Sequence, residues 1–185
     1  ARYYIEHSLY DLYHWAEDLG VKWVDLKLQE GNSVSRWTRP ERNGLGMMTH
    51  LIAGYRTRNG EIVANIEATK LTVEGGRVTG FEGRNIATGE PVTVASKAVV
   101  MTTGGFNSNH DMVLENCPDL RSDKVLVGSG PGSTGGGHKL ISAVGGYLTH
   151  MDHNWFYIYA TPDYRDPAQN RGLAFRHVPG YIRSE

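Results

Sequence analysis

The sequence predicts an α/β fold with an inserted three-stranded β-meander, and three observations predict it. An amphipathic helical pattern near the start runs into a short strand, Val21-Lys22-Trp23-Val24. Between Ile62 and Val94, strand-forming residues are cut by glycine-containing turns. A short continuous apolar run, Ala98 to Met101, then ends in Thr102-Thr103-Gly104-Gly105. Helix period, strand period and a doubly apolar strand in one chain indicate a sheet with helices on it.

The elements follow in order. Residues 3 to 19 read as a helix, because Ile5, Leu9, Leu12, Ala16 and Leu19 recur at steps of 4, 3, 4 and 3 and make one apolar stripe. Gly20 ends it as a C-terminal cap. Residues 29 to 44 are polar, with Asn32, Ser33, Pro40 and Asn43-Gly44, and read as a loop. A second helix carries Leu45, Met48, Ile52 and Tyr55 on one face, and Asn59-Gly60 is a tight turn. The meander spans Ile62 to Val73, Arg77 to Ile86 and Pro91 to Val94, with turns at Glu74-Gly75-Gly76 and Thr88-Gly89. Ala98 to Met101 has the composition of a strand buried on both faces. Residues 108 to 115 form a short helix, with Ser108 and Asp111 as its capping pair. A further helix begins near Gly137 and is expected to bury Leu140, Ile141 and Val144. The tail from Trp155 to Tyr181 is aromatic and irregular.

Composition narrows the function. The chain has 185 residues, which suits one domain or two small lobes. Twenty acidic residues against 19 Lys and Arg leave a net charge of -1, which gives no electrostatic basis for binding nucleic acid or an anionic membrane. No apolar run approaches the roughly 18 residues of a membrane span. The single cysteine, Cys117, rules out an internal disulfide and fits a reducing, cytoplasmic compartment. The 23 glycines are the unusual count, and they cluster.

The densest cluster is GSGPGSTGGGHKL, Gly128 to Leu140. Within it, Gly130 to Gly135 satisfies G-x-G-x-x-G, with Asp152 lying 17 residues beyond. A dinucleotide fingerprint uses such glycines for the turn, for pyrophosphate approach and for helix packing. The helix that follows starts only near Gly137, after extra glycines, so the third glycine of the pattern is not inside it. Three readings stand: a nucleotide fingerprint, a hinge between lobes, or a run of backbone N–H groups at a helix start.

Four stretches, in order, resemble the flavoprotein-subunit family of fumarate reductase and succinate dehydrogenase, with its tricarballylate dehydrogenase-like and 3-ketosteroid dehydrogenase-like members. HSLYDLYHWAEDLGVKW is similar to the family helix that ends in leucine-glycine-valine before a strand. ATKLTVEGGRVTGF carries the R-V-x-G-hydrophobic signature of its meander. KAVVMTTGGFNSN resembles its A-T-G-G-F strand end, and GSTGGGHKLISAVGGYLTHMD its T-G-D-G segment and helix.

The fold class implied is a partial FAD-binding Rossmann-like domain with the meander inserted, plus the start of an α+β capping lobe. Residues 1-127 would be the FAD-binding part, and 128-185 the hinge and start of the capping lobe. The implied function is that of an FAD-dependent oxidoreductase moving a hydride between flavin and a substrate carbon–carbon bond. The alternative is a stand-alone nucleotide-binding module using Gly130 to Gly135, without redox activity.

The resemblance also implies a cofactor-binding set: Thr102, Thr103, Gly104 and Gly105 against FAD, Ala68 pairing its backbone with the adenine, and Thr134, Gly135 and Gly136 near the flavin ring. Glycines at such a turn let the backbone approach a ring or pyrophosphate. Gly136 replaces the family aspartate, which removes that acid's side chain. WFYIYATP, with Tyr157 near the histidine position, stands where fumarate-reducing relatives carry Q-x-H-P-T, which argues against fumarate itself. No catalytic residue is assigned.

The family's first βαβ unit and its catalytic arginine segment have no counterpart in these residues. The chain is therefore expected to be an interior piece, inactive and without tightly bound FAD alone. Ala98 to Met101 is expected to leave an unpaired edge and exposed apolar side chains, and the chain to self-associate. The partner implied for the parent is a small-molecule substrate.

Other residues read more plainly. His150 and His153 flank Asp152 on what reads as a strand, which sends the two rings to opposite faces and gives no metal site. Cys117 has no basic neighbour closer than Arg121 to activate it. Tyr157, Tyr159 and Arg171 either line a substrate pocket or pack the tail.

Overall fold

The computed structural model describes residues 2–28, 33–120, 126–128, 130–154, 160–165 and 171–174. They belong to two compact units, Ala1–Ala64 and Asn65–Glu185.

The first unit opens with an unbroken helical run: α1 (Arg2–Ser8), a π-helical segment (Leu9–His14) and α2 (Trp15–Asp18). The π segment changes the face that follows, because its wider turn takes in one more residue. The single apolar stripe is thereby corrected. Ile5, Leu9 and Leu12 are 75%, 51% and 41% exposed, whereas Ala16 is fully buried. The run stops at Gly20, whose φ is +100°. A side chain there would be strained and would meet the His50 ring, with Nδ1 2.9 Å from the added carbon.

β1 (Trp23–Lys27) pairs antiparallel with β2 (Trp37–Pro40). This second strand lies inside the stretch expected to be a loop. Its polar composition conceals a cross-strand pair: Arg39 Nε donates to Asp25 Oδ2 at 2.7 Å. Hydrogen bonding from Arg39 holds the Asp25 carboxyl below the usual carboxylate range, with Lys27 adding to it. Pro40 sits at the strand end, where a missing N–H is tolerated. Tyr13 stacks on Trp23 at 5.0 Å. α3 (Asn43–Arg56) then turns Met48, Ile52 and Tyr55 toward Trp15 and Leu19 around an open apolar hollow of about 420 Å³. Leu45, expected on the same face, remains 61% exposed.

The second unit is built on the meander, in the order β3 (Ile66–Glu74), β4 (Arg77–Asn85) and β5 (Pro91–Ala95), all antiparallel. The expected turns fall in place: Gly75, Gly76 and Gly89 have φ of 54°, 78° and 79°. The ladder is irregular between Ala68 and Lys70.

Ala98 to Met101 forms no strand, which corrects the buried-strand expectation. It has no ladder partner among the described residues, and Val100 is 83% exposed. An apolar run becomes a buried strand only when neighbours supply hydrogen bonds on both sides.

Beyond it come α4 (His110–Asn116), a 3₁₀ turn (Pro118–Leu120) and α5 (Gly136–Ala143), then a small pair, β6 (Ala160–Pro162) with β7 (Gly172–Ala174). The cap of α4 is Asn109 rather than Ser108, since Asn109 Oδ1 accepts from Met112 N at 3.1 Å. α5 buries Gly137, while Leu140 and Ile141 are half-buried and Val144 is exposed. Leu71, Phe106, Val113, Cys117 and Val127 form the core of this unit. Each of its large apolar side chains contributes roughly 1.5–3 kcal/mol by leaving water. No helix among the described residues is long and apolar enough to cross a membrane.

Candidate cofactor-binding site

The two glycine-rich stretches singled out in the sequence meet in the second unit. Gly135 N donates to Gly105 O at 3.1 Å, which ties the turn after Met101 to the start of α5. A β-carbon on Gly137 would lie 1.9 Å from Thr103 Oγ1 and 3.4 Å from Met101 Cε. The first turn of α5 therefore rests directly on Met101–Thr103, a contact only glycine permits.

The other side of this junction is open. Gly104 has φ +74°, and the nearest atom to an added β-carbon there is Ser133 Oγ at 3.9 Å. At Gly136 the nearest is Thr134 Oγ1, also at 3.9 Å. Both glycines are solvent-exposed, as are Thr102 and Thr134. A flat ring or a pyrophosphate is sterically admitted against backbone here, and the N-terminal end of α5 favours a negatively charged group. His138, in the same helical turn, packs edge-on against Phe106 at 5.4 Å. Its Nδ1 is buried with no hydrogen-bond partner among the described residues, an arrangement suited to a ligand atom that supplies the missing bond. These residues fit a flavin nucleotide.

Seven of the eight residues expected at a cofactor thus fall at one junction. The eighth, Ala68, is exposed on β3 opposite Gly83, and α5 runs beside that strand. The G-x-G-x-x-G pattern behaves differently from a dinucleotide fingerprint. Gly130 and Gly132 have nothing within 4 Å of their missing side chains, and Gly135 caps α5. Gly135 packs on Met112 and Phe106 instead of on a strand.

The sequence reading missed the polar residues beneath the junction. Ser108 N donates to Ser133 O at 2.8 Å, and Ser108 Oγ donates to Gly130 O at 2.6 Å. Asn109 Nδ2 donates to Thr134 O at 3.1 Å. The signal was present in FNSN, three small polar side chains after an aromatic anchor, but it reads locally as helix capping alone.

His150 and His153 lie in a turn, not a strand, and their rings meet edge to face at 4.8 Å. The positive φ of His150, 55°, brings them together. His153 hydrogen-bonds Asp152 at 3.0 Å and holds that carboxyl below its ordinary range. Among the described residues no group of three or more His, Cys, Asp or Glu side chains is placed to hold a metal ion. Cys117 is buried; Asn154 Nδ2 donates to its Sγ at 2.7 Å. Arg171 bridges Val127 through backbone, while Tyr157 and Tyr159 lie outside the described residues.

Residues 2–181 match the family described as FAD binding domain. The chain belongs to that family. Its relatives confirm the likeness to fumarate reductase flavoproteins. A urocanate reductase of Eggerthella lenta is 32% identical over 138 residues, which cover 72% of this chain and 23% of the relative. An NADH:fumarate oxidoreductase of Klebsiella pneumoniae is 30% identical over 141 residues, covering 74% of this chain and 15% of the relative. The solved structure of the open conformation of a flavocytochrome c3 fumarate reductase superposes with a TM-score of 0.66 at 26% identity, over 74% of this chain and 24% of that one. The chain thus spans about a quarter or less of the length of these relatives. The partial α/β FAD-binding fold and FAD as the family cofactor stand on these matches.

Proposed function

We propose that the protein containing this FAD binding domain is a flavin-dependent reductase that transfers a hydride between FAD and the carbon–carbon double bond of a 2-enoic acid. The observation that carries the cofactor half is the junction itself: Gly105 O bonded to Gly135 N at 3.1 Å, with Gly104 and Gly136 bare beside it. In this reading Thr102 to Gly105 and Thr134 to Gly136 offer their backbones to the flavin, and Ala68 offers its strand edge to the adenine. Bound FAD supplies two-electron hydride chemistry. Residues 128–185 would open the lobe that encloses the substrate.

The substrate half rests on the relatives. Urocanate, fumarate and acrylate, which name three of them, share a double bond conjugated to a carboxylate. That conjugation makes the distal carbon able to accept hydride. The run WFYIYATP lacks the Q-x-H-P-T pattern, so we place the substrate among 2-enoic acids other than fumarate.

The test is anaerobic reoxidation. The complete protein is purified with its flavin, reduced chemically, and mixed in turn with urocanate, acrylate, crotonate and fumarate. Return of the oxidised flavin spectrum with at least one non-fumarate enoate, and not with the saturated acids, is the expected result. A colourless protein, or a reduced flavin that no enoate other than fumarate reoxidises, would sink the proposal.

A further inference from the structure

We propose that Asn109 is a positioning residue: its side-chain amide fixes the loop from Gly130 to Gly137 against the Thr102–Gly105 turn before FAD arrives. The inference rests on the reading of that junction as the flavin site. The amide is used at both ends. Oδ1 accepts from Met112 N at 3.1 Å and caps α4, while Nδ2 donates to Thr134 O at 3.1 Å, 25 residues away. Neighbouring groups act in the same direction. Ser108 holds Gly130 O and Ser133 O, and Met112, one turn on, lies under Gly135, its Sδ 2.4 Å from where a β-carbon would be. The start of α4 thus grips residues 130, 133, 134 and 135 from below.

The grip matters because of what it grips. Gly130 and Gly132 have no packing around their missing side chains, and a glycine-rich loop loses more freedom on ordering than any other. If binding had to order the loop, that cost would come out of the flavin affinity; an amide that orders it beforehand removes the cost. The requirement is for an acceptor and a donor on one short side chain, which Asn has. Asp and Ser cap helices about as well as Asn. Asp lacks the N–H, and Ser lacks the reach to Thr134.

The complete protein is compared with its Asn109→Asp, Asn109→Ser and Gly104→Val variants. Three quantities are read: flavin dissociation constant of the apoprotein, amide hydrogen exchange over residues 130–137 without flavin, and melting temperature. Asn109→Asp and Asn109→Ser are expected to melt close to the parent, to exchange faster over 130–137, and to bind flavin roughly tenfold more weakly, as loss of one hydrogen bond implies. Unchanged exchange over 130–137 in both Asn109 variants would overturn the inference, whatever their affinity. The Gly104→Val arm separates the two claims. If it too leaves flavin affinity unchanged, the junction is not the flavin site. The hydrogen exchange of the Asn109 variants still decides whether the tie orders the loop.

Discussion

The β-carbon that Gly137 lacks would stand 1.9 Å from Thr103 Oγ1 and 3.0 Å from Thr103 Cβ. Helix α5 and the segment before Gly104 are therefore in backbone-to-side-chain contact with no room for a methyl group. Gly137→Ala should push α5 away from the junction, at a cost of about 1–3 kcal/mol as for other overpacked sites. Thr103→Ala removes the worse of the two clashes. The double variant should recover part of the loss, a non-additivity that chemical denaturation of the four proteins in the cycle measures. Full additivity would place the two residues apart.

Gly104→Val should strip flavin from the complete protein, while Gly132→Val should leave most of it bound. Gly104 has φ +74°, a conformation that costs a side-chain-bearing residue roughly 1–2 kcal/mol, and its open face is where we propose the flavin meets the backbone. A β-carbon on Gly132 would meet nothing within 4 Å, and the bond its carbonyl accepts from Thr134 N at 2.9 Å is a backbone bond that an added side chain leaves in place. Flavin absorbance per chain, after desalting, is the measurement. The reverse order of losses would favour a dinucleotide fingerprint at Gly130 to Gly135.

Much of the fold was legible because it is written in local conformation. The meander turns at Gly75-Gly76 and Gly89 adopt positive φ, and glycine is the residue that does so freely. The end of the first helix at Gly20 follows the same rule. β2 escaped notice because its strand character lies in a partner: Arg39 is polar by itself and becomes a strand residue through Asp25. Ala98 to Met101 erred in the opposite direction, since its composition is that of a central strand and only its missing ladder makes it otherwise. At the candidate site, the motif order located both glycine turns. Their union through Asn109 depends on Thr134, a distance in sequence that no local pattern spans.

Asp163 should remain ionised into strong acid. Arg165 donates to it from Nε at 2.8 Å, from Nη2 at 2.7 Å and from its backbone N at 3.0 Å, and these bonds hold its carboxyl down to about 2. Because the folded-state value is depressed, the stabilisation is complete above the unfolded carboxyl's value of roughly 3.9 and disappears as the pH falls from there toward 2. Arg165→Ala should move the Asp163 titration up toward the ordinary range. Side-chain carboxyl NMR through that acid window reads it directly, and a titration unmoved by the substitution would refute the assignment.

The 185-residue chain expressed alone should self-associate. Its first helical run shows water Tyr3, Tyr4, Ile5, Leu9 and Tyr10, between 51% and 75% exposed, and Val100 in the second unit is 83% exposed. Contiguous apolar surface of this kind marks a contact site, whereas isolated exposed residues are ordinary. Five such side chains fall within residues 3–10 of the helical run, so it should dominate. Ile5→Glu with Leu9→Glu places two charges on that run at positions 75% and 51% exposed. Light scattering across a dilution series should show a mass above 20.5 kDa that falls on dilution for the parent chain, and a value near 20.5 kDa for the double variant. A parent chain that stays monomeric at every concentration refutes the self-association outright. An oligomer that the two glutamates leave intact moves the contact to the second unit, where Val100→Lys is the variant that should then dissolve it.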